Sequence, residues 1–340
     1  MAISLLAILV SAFLAIPSTV MAEVSIYGRA HVSMDVLDDG DDYTELNVSS
    51  NASRLGFTAE RATERGVIGF MQIEGEITYN QGNSALSNRA TFAGLQGGFG
   101  MMRVGQFDTP FMEARGPANL FGSQLGEIRN FTRVGSGRFD ERTPNTILYQ
   151  TPDYFGLNVN LAYSVHEGTA ARDNRKDSGY SASITFKDGP VDAAVAFEAF
   201  EEDADWGKRN AIRAAVGFSL NDRQKVVGFL QNVNHDNDLY DSLVLGAGGS
   251  FWVHPETMLK GMLMLRNGDG DDTNSIMVAL AGEYYLDAML RVYANLAAVI
   301  NDDRVNLTPW EQGRTVTKQG VAGKNATGVS LGMVYDFRRW

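Results

Sequence analysis

Cysteine is absent from these 340 residues, which excludes a disulfide framework, a thiolate nucleophile and any cysteine-based metal site. Proline is scarce, at 8 residues, and histidine scarcer, at 4: His31, His166, His235 and His254. No stretch after residue 22 approaches the roughly 20 apolar residues that a membrane-spanning helix needs. Positive charge is also short, with 29 Lys and Arg against 41 Asp and Glu and a formal net charge of -12. Nucleic-acid phosphates call for a basic surface, so that class of partner is excluded. Beyond this, an acidic balance says only that the surface is solvated.

What is present begins with a leader. Residues 2–20 are nearly all apolar or small, and Val20-Met21-Ala22 has the small-residue pattern of a signal-peptidase site. The segment reads as a secretory signal over residues 1–22, with the mature chain starting at Glu23. No Lys or Arg precedes the apolar run, so its positive end is the α-amino group or lies upstream. An N-terminal membrane helix is the competing reading, but the segment is short and a strand follows it directly.

From Glu23 onward apolar and polar residues alternate with a period of two, in segments of about ten residues. Successive side chains of a strand point to opposite faces, so such segments have one wall for an apolar medium and one for water. Val24, Ile26, Gly28, Ala30, Val32 and Met34 form one face of the first segment; Ser25, Tyr27, Arg29, His31, Ser33 and Asp35 form the other. Near the end, Val329, Leu331, Met333, Tyr335 and Phe337 oppose Ser330, Gly332 and Asp336. The pattern predicts about 16 strands, starting near residues 23, 53, 67, 89, 99, 144, 157, 179, 191, 209, 225, 241, 257, 275, 289 and 326. Short turns (Gly97-Gly98, Asp188-Gly189-Pro190, Asn221-Asp222-Arg223, His254-Pro255-Glu256, Asp287) alternate with long polar connections at 38–51, 166–178, 268–274 and 301–325.

A soluble sandwich or β-helix also alternates. Here, however, strands run without a helical break for over 300 residues, and no 20–50-residue repeat appears. Short turns at one end and long loops at the other are the pattern of an outer-membrane barrel. The fold class is therefore all-β, a transmembrane antiparallel β-barrel over residues 23–340 with no internal domain boundary. Both chain ends are expected on the periplasmic side.

One connection, residues 107–142, is too long for the rhythm. Loops of this size inside a compact fold are functional or disordered, and its composition is not that of disorder. It holds Phe107, Phe111, Met112, Leu120, Phe121, Leu125, Ile128, Phe131 and Phe139. It also carries Asp108, Glu113, Glu127, Asp140 and Glu141 beside Arg115, Arg129, Arg133, Arg138 and Arg142. Such a loop can fold back into a wide barrel and narrow it; packed outside, it would be an extracellular lid.

The order and spacing of several short motifs resemble the general, non-specific porins of Gram-negative bacteria, the trimeric sixteen-stranded family, over nearly the whole mature chain. They are Val24-Ser25-Ile26-Tyr27-Gly28-Arg29, Ser53-Arg54-Leu55-Gly56-Phe57, and Arg89-Ala90-Thr91-Phe92-Ala93-Gly94-Leu95. Phe99-Gly100 and Arg103-Val104-Gly105-Gln106-Phe107 lead into the long loop. Arg142-Thr143-Pro144-Asn145-Thr146-Ile147-Leu148-Tyr149, with Thr151-Pro152, leave it.

The resemblance implies a homotrimer in the outer membrane, in contact with lipid and lipopolysaccharide. It also implies passive diffusion of ions and small hydrophilic solutes, with the third loop forming the constriction. Wall arginines face third-loop carboxylates in that family. The matching wall positions are Arg29, Arg54, Arg89 and Arg103, and the loop offers Asp108, Glu113, Glu127 and Asp140. The family ends on an aromatic residue; here that pattern ends at Phe337 and Arg338-Arg339-Trp340 follow. The trimer also draws on small outward residues, Gly28, Ala30, Ala59 and Gly69.

No catalytic residues, cofactor or metal are assigned. An outer-membrane enzyme needs a nucleophile with a base in reach, and no Ser/His/Asp arrangement can be placed from spacing. A solute-specific outer-membrane channel is the alternative function, for which inward-facing Tyr27, Tyr285 and Tyr293 form no continuous track. Two acidic clusters, Asp38, Asp39, Asp41 and Asp42, and Asp269, Asp271 and Asp272, lack the twelfth-position glutamate of a calcium loop and read as solvated loop tips.

Overall fold

A computed structural model describes residues 23–82, 87–132, 139–165, 178–200, 208–237, 239–316 and 318–339. The expected leader lies outside the described residues, as do most of the connection at 166–178, Arg133, Arg138 and Trp340. The alternating segments form β1 Glu23–Asp38, β2 Thr44–Ser50, β3 Arg54–Ala62, β4 Ile68–Glu76, β5 Thr91–Gly97 and β6 Gly100–Asp108. Then come β7 Arg142–Gln150, β8 Leu157–Ser164, β9 Gly179–Asp188, β10 Val191–Phe200, β11 Arg209–Asn221 and β12 Gln224–His235. The last are β13 Ser242–His254, β14 Thr257–Gly268, β15 Ser275–Tyr285, β16 Leu290–Asn301 and β17 Ala326–Arg339.

Chain neighbours pair antiparallel, except that β2 and β3 pair with β1 rather than with each other, and β1 also pairs with β17, from Ile26↔Arg339 to Asp38↔Thr327. The sheet therefore closes into a barrel, the arrangement that joins the first strand to the last. β2 lies on the outer half of β1 (Val32↔Ser50 to Asp38↔Thr44) and β3 on the other half (Glu23↔Glu60 to Arg29↔Arg54). They are two halves of one wall strand, broken at residues 51–53, where Ala52 takes a φ of 51°. That makes sixteen wall strands, as the alternation predicts.

Two sequence expectations are corrected here. The connection expected over 38–51 is short, because Leu46 and Val48 alternate with polar residues and β2 continues the wall. The third connection is shorter than 107–142, since Phe107 and Asp108 end β6 and Arg142 starts β7. Past Phe337, where the aromatic pattern ends, β17 runs on through Arg338 and Arg339, opposite Tyr27 and Ile26. Arg338 Nε donates to Ser25 Oγ at 3.1 Å, while the Phe337 ring covers Gly28, where a Cβ would stand 2.6 Å from it.

The two faces of the wall separate cleanly. Outward positions such as Val24, Met34, Leu161, Ile212, Leu263, Leu296 and Leu331 are exposed apolar residues. Ser25, His31, Asp35, Glu198, Arg213, Gln231 and Ser330, on the opposite face, are buried. The inward face carries polar side chains all round the barrel, but on β11 to β16 it also buries a run of apolar ones, Ala215, Val227, Phe229, Val244, Met262, Met264, Met277, Ala279 and Val299. What covers them is the third connection, whose Phe121, Leu125, Ile128 and Phe131 join the same cluster, together with fully buried Trp310 from the last connection, between β16 and β17. Apolar side chains facing a lumen would be costly in water, and this packing removes them from it.

Candidate functional site

The early wall strands carry the arginines expected from sequence, and each meets a carboxylate. Arg29 forks onto Asp336, Nε to Oδ1 at 2.6 Å and Nη2 to Oδ2 at 3.1 Å. These residues are 307 apart in the chain and meet only because β1 closes on β17. Arg54 and Arg89 share one partner: their Nε atoms stand 3.5 Å and 2.7 Å from the two oxygens of Glu74. Tyr27 donates its hydroxyl to Glu74 as well, at 2.8 Å. Arg89 lies just before β5 rather than within it, held alongside β4 by its own amide on the Glu74 carbonyl at 3.1 Å. Arg103 lies over the rings of Phe92 and Phe107, 5.0 Å and 4.2 Å from their centroids, and reaches Glu113 at 3.5 Å.

The third connection is pinned at many points. Thr109 caps the helical turn Pro110–Glu113, accepting from Met112 N at 3.2 Å, as short-chain hydroxyls do at helix starts. The Phe111 amide donates to Ser181 Oγ (3.0 Å), Gln231 Nε2 donates to the Thr132 carbonyl (2.7 Å), Lys260 Nζ to that of Leu120 (2.8 Å), and Asn295 Nδ2 to that of Leu125 (2.8 Å). Gly126, at φ 81°, passes so close to the wall that a Cβ would stand 2.3 Å from Ala279 Cβ. Only glycine permits that approach.

The four loop carboxylates singled out from sequence are not equivalent. Asp108 pairs with Arg142 at 2.7 Å, Glu113 with Arg103, and Glu127 with Arg115 at 3.7 Å while accepting from the Ser123 amide at 2.8 Å. Asp140 is fully buried and takes both Nη atoms of the equally buried Arg213, at 2.9 Å and 2.7 Å. Its own amide donates to Glu198 Oε1 at 2.6 Å. A carboxylate held in that way fastens the connection to β10 and β11 and presents no charge to water.

A cavity of about 330 Å³ lies between the early wall and the connections. Arg54, Arg89, Arg115, Arg129, Arg142 and Arg314 line it, with Glu76, Asp108, Glu127 and Glu141. A second cavity, about 510 Å³, is lined by Tyr27, Arg29, Arg54, Thr58, Gln72, Glu74, Asp336 and Arg338, among others. Among the described residues Arg54 alone lines both. Residues that sequence reasoning did not select are therefore central here. Arg115, Arg129 and Arg142 were visible as charges of the third connection, but nothing in the spacing ranked them above its acids. Arg314 had no local signal: it comes from the last connection, where it pairs with fully buried Asp35 and reaches Ser33 on β1. That connection is tied to the third one, with Gly126 N and Asn130 Nδ2 both donating to the Pro309 carbonyl at 2.8 Å and Gln312 N to Asn130 Oδ1 at 2.6 Å.

Buried His31 has Tyr293 OH at 2.9 Å from Nε2, not a serine. Among the described residues no group of three potential ligands is gathered for a metal ion. Asp39 and Asp42 of the first acidic cluster lie near Lys318, and Asp41 near Lys324.

Comparison with known proteins adds to this geometry. The family model for Gram-negative porins matches residues 6–304. The chain is 28% identical over 329 residues to outer membrane porin protein 32 of Delftia acidovorans, covering 91% of each protein. It is 26% identical over 183 residues to the major outer membrane protein P.IB of Neisseria meningitidis serogroup B, covering 52% of this chain and 53% of that one. Among solved structures, an anion-selective porin from Comamonas acidovorans superposes with a TM-score of 0.80 at 21% identity, covering 93% of this chain and 100% of that one. The trimer form of OmpT from Vibrio cholerae gives 0.69 at 16%, covering 93% and 99%.

Proposed function

The chain belongs to the Gram-negative porin family, and from that premise we propose an outer-membrane diffusion channel that prefers anions, narrowed by its third and last connections. The family is one of channels rather than enzymes, and the outer membrane is its location. The finer reading rests on one observation, the arginine-lined cavity. Among the described residues, six guanidiniums and four carboxylates line it. Arg54 and Arg89 are both more exposed than the Glu74 they share, so the positive ends of those pairs are nearer the passage. The expected field of loop carboxylates against wall arginines is modified accordingly: arginines stand on both sides, and each loop acid is already engaged.

Interior charge acts across water that screens it only in part, so lumen charge sets ion preference. The anion-selective description of the Comamonas protein agrees with this reading. We also propose a homotrimer, for which the trimer form of the Vibrio protein and the small outward residues Ala30, Ala59 and Gly69 are the support. The leader is proposed to be cleaved before Glu23, and lipid and lipopolysaccharide to surround the exposed apolar band. Reversal potential in a planar bilayer under a KCl gradient tests the selectivity. Chloride preference is expected; a cation-selective wild-type channel would overturn it.

A further inference from the structure

We infer that the lumen holds a subsite for a neutral saccharide ring, built on Trp252 and Tyr285 between the third connection and the short turns. The inference rests on the channel reading but not on the sign of its ion preference. Trp252 of β13 stands opposite Met258 of β14, and Met258 opposite Glu283 of β15. Residues directly opposite one another share a face of the sheet, and Tyr285, two residues beyond Glu283, shares it too. That face is the inner one, because Gln124 of the third connection donates to the Glu283 carboxylate at 2.9 Å. Trp252 and Tyr285 lie next to the turns at 254–256 and 286–289. Their rings meet across β14 with centroids 5.0 Å apart and planes at 47°. At that tilt neither ring covers the other as in a parallel stack. Trp252, Met258 and Tyr285 all stay partly exposed, whereas Met262 and Met264 further along β14 are buried with the third connection.

Ring carbon left facing an aqueous lumen is unfavourable until something apolar covers it. A solute that is polar at its rim and apolar on one face can do so, and the C–H face of a pyranose is such a surface. Its hydroxyls then need donors and acceptors side by side, the pairing of an aromatic wall with a few placed polar groups that small-molecule sites use. Both kinds border the rings. Arg291 lies with its guanidinium carbon 5.7 Å from the centre of the Tyr285 ring and reaches Glu283 at 3.4 Å and Asp336 at 3.7 Å. Asp336 in turn takes the fork of Arg29. The side chains of Arg29, Arg291 and Asp336 are 28%, 23% and 36% exposed, so two donors and an acceptor stay within reach of a solute. An anion would meet Asp336 along with the arginines, whereas a neutral hydroxylated ring uses both signs. Asp336 also lines the cavity of about 510 Å³, with Tyr27, Thr58 and Gln72, which gives a second, linked ring polar walls to meet.

The test is block of KCl current through the wild-type channel in a planar bilayer by maltose, beside sorbitol, an open-chain polyol with no ring face, at matched viscosity. Maltose is expected to reduce the current saturably, and sorbitol to do so at least ten-fold less effectively. Trp252→Leu and Tyr285→Leu stay apolar but lose the ring, and each is expected to raise the half-blocking concentration of maltose at least ten-fold. Tyr285→Phe keeps the ring and gives up only the hydroxyl that donates to Glu283, so its half-block should change less than two-fold. Either leucine variant decides by itself should the other fail to assemble. Absent or unsaturable block by maltose in the wild type would overturn the site, as would equal block by sorbitol. So would a conducting leucine variant with unchanged half-block. Block by benzoate without block by maltose would overturn the saccharide assignment. A wild type that prefers chloride but is not blocked leaves the selectivity reading standing and removes only the subsite; a cation-selective channel that maltose blocks does the reverse.

Discussion

Replacing Arg54 with glutamate changes the charge at the junction of the two cavities by two units. Arg54 Nε is 3.5 Å from Glu74, and Glu74 keeps its shorter contact with Arg89 at 2.7 Å. The exchange thus removes the guanidinium without stranding its partner, and the barrel should still assemble. A unit charge about 4 Å from a permeating ion is worth about 1 kcal/mol in bulk water and more where the medium is less polar. The two-unit change disfavours chloride and favours potassium together, about 4 kcal/mol at the bulk-water value. Salt with a Debye length of roughly 10 Å at 0.1 M and the mobility of the side chain reduce that value. A fall of at least ten-fold in the chloride-to-potassium permeability ratio needs only about 1.4 kcal/mol of it.

The assay is reversal potential under a KCl gradient, with Arg54→Gln expected to lie between wild type and glutamate variant. Glu60→Gln, at an exposed position beyond the described cavities, should shift it much less. An unchanged reversal potential in a folded, conducting Arg54→Glu channel would refute the placement of the field at Arg54.

Loss of the buried anchor should release the third connection: Asp140→Ala leaves Arg213 unpaired in a fully buried site, and breaking such a pair costs about 3–5 kcal/mol. Larger or noisier single-channel conductance and faster protease cleavage within residues 109–141 are expected; unaltered conductance would count against its anchoring role. Mass spectrometry of the outer-membrane fraction should find a mature chain beginning at Glu23, and retained residues 1–22 would reject the leader. Detergent-purified protein should be a heat-modifiable trimer by sedimentation, and a stable monomer would contradict the proposed assembly.

The outer clasp between Asp39 and Lys318 (3.1 Å) has a definite pH sense. Desolvation pushes the Asp39 carboxyl up, but amides of Asp41 and Tyr43 and the Lys318 ammonium outweigh it and hold it below its ordinary value. Its stabilisation is therefore present above the usual carboxylate range, about pH 3.9, and is lost as pH falls through the depressed value. Lys318→Ala should speed proteolysis of the last connection at pH 7 but make little difference near pH 2, and an equal effect at both would refute the clasp.

Period-two alternation was enough to place most wall strands, because a wall between an apolar exterior and a polar interior imposes that pattern on every residue it contains. Thus the segments predicted near 157, 179, 191, 209, 257, 275 and 326 begin where β8, β9, β10, β11, β14, β15 and β17 begin. The family was legible too, from motif order on the early strands. β2 was not, since Leu46 and Val48 are its only exposed apolar residues and the break at 51–53 hides that it continues into β3. Alternation also says which side of the sheet a residue faces, never what it meets there.

The meetings of Arg29 with Asp336, of Arg314 with Asp35 and of Asp140 with Arg213 span 307, 279 and 73 residues, and only closure of the barrel and the packing of the connections against its wall create them. The same holds for the inner wall of β11 to β16. Met262, Met264 and Met277 face inward although the lumen is nominally aqueous, and no local pattern explains them. Their cause is tertiary: the apolar side chains of the third connection and Trp310 must be buried somewhere, and the late wall supplies the surface. That packing leaves the arginine-bearing early wall to border the cavities.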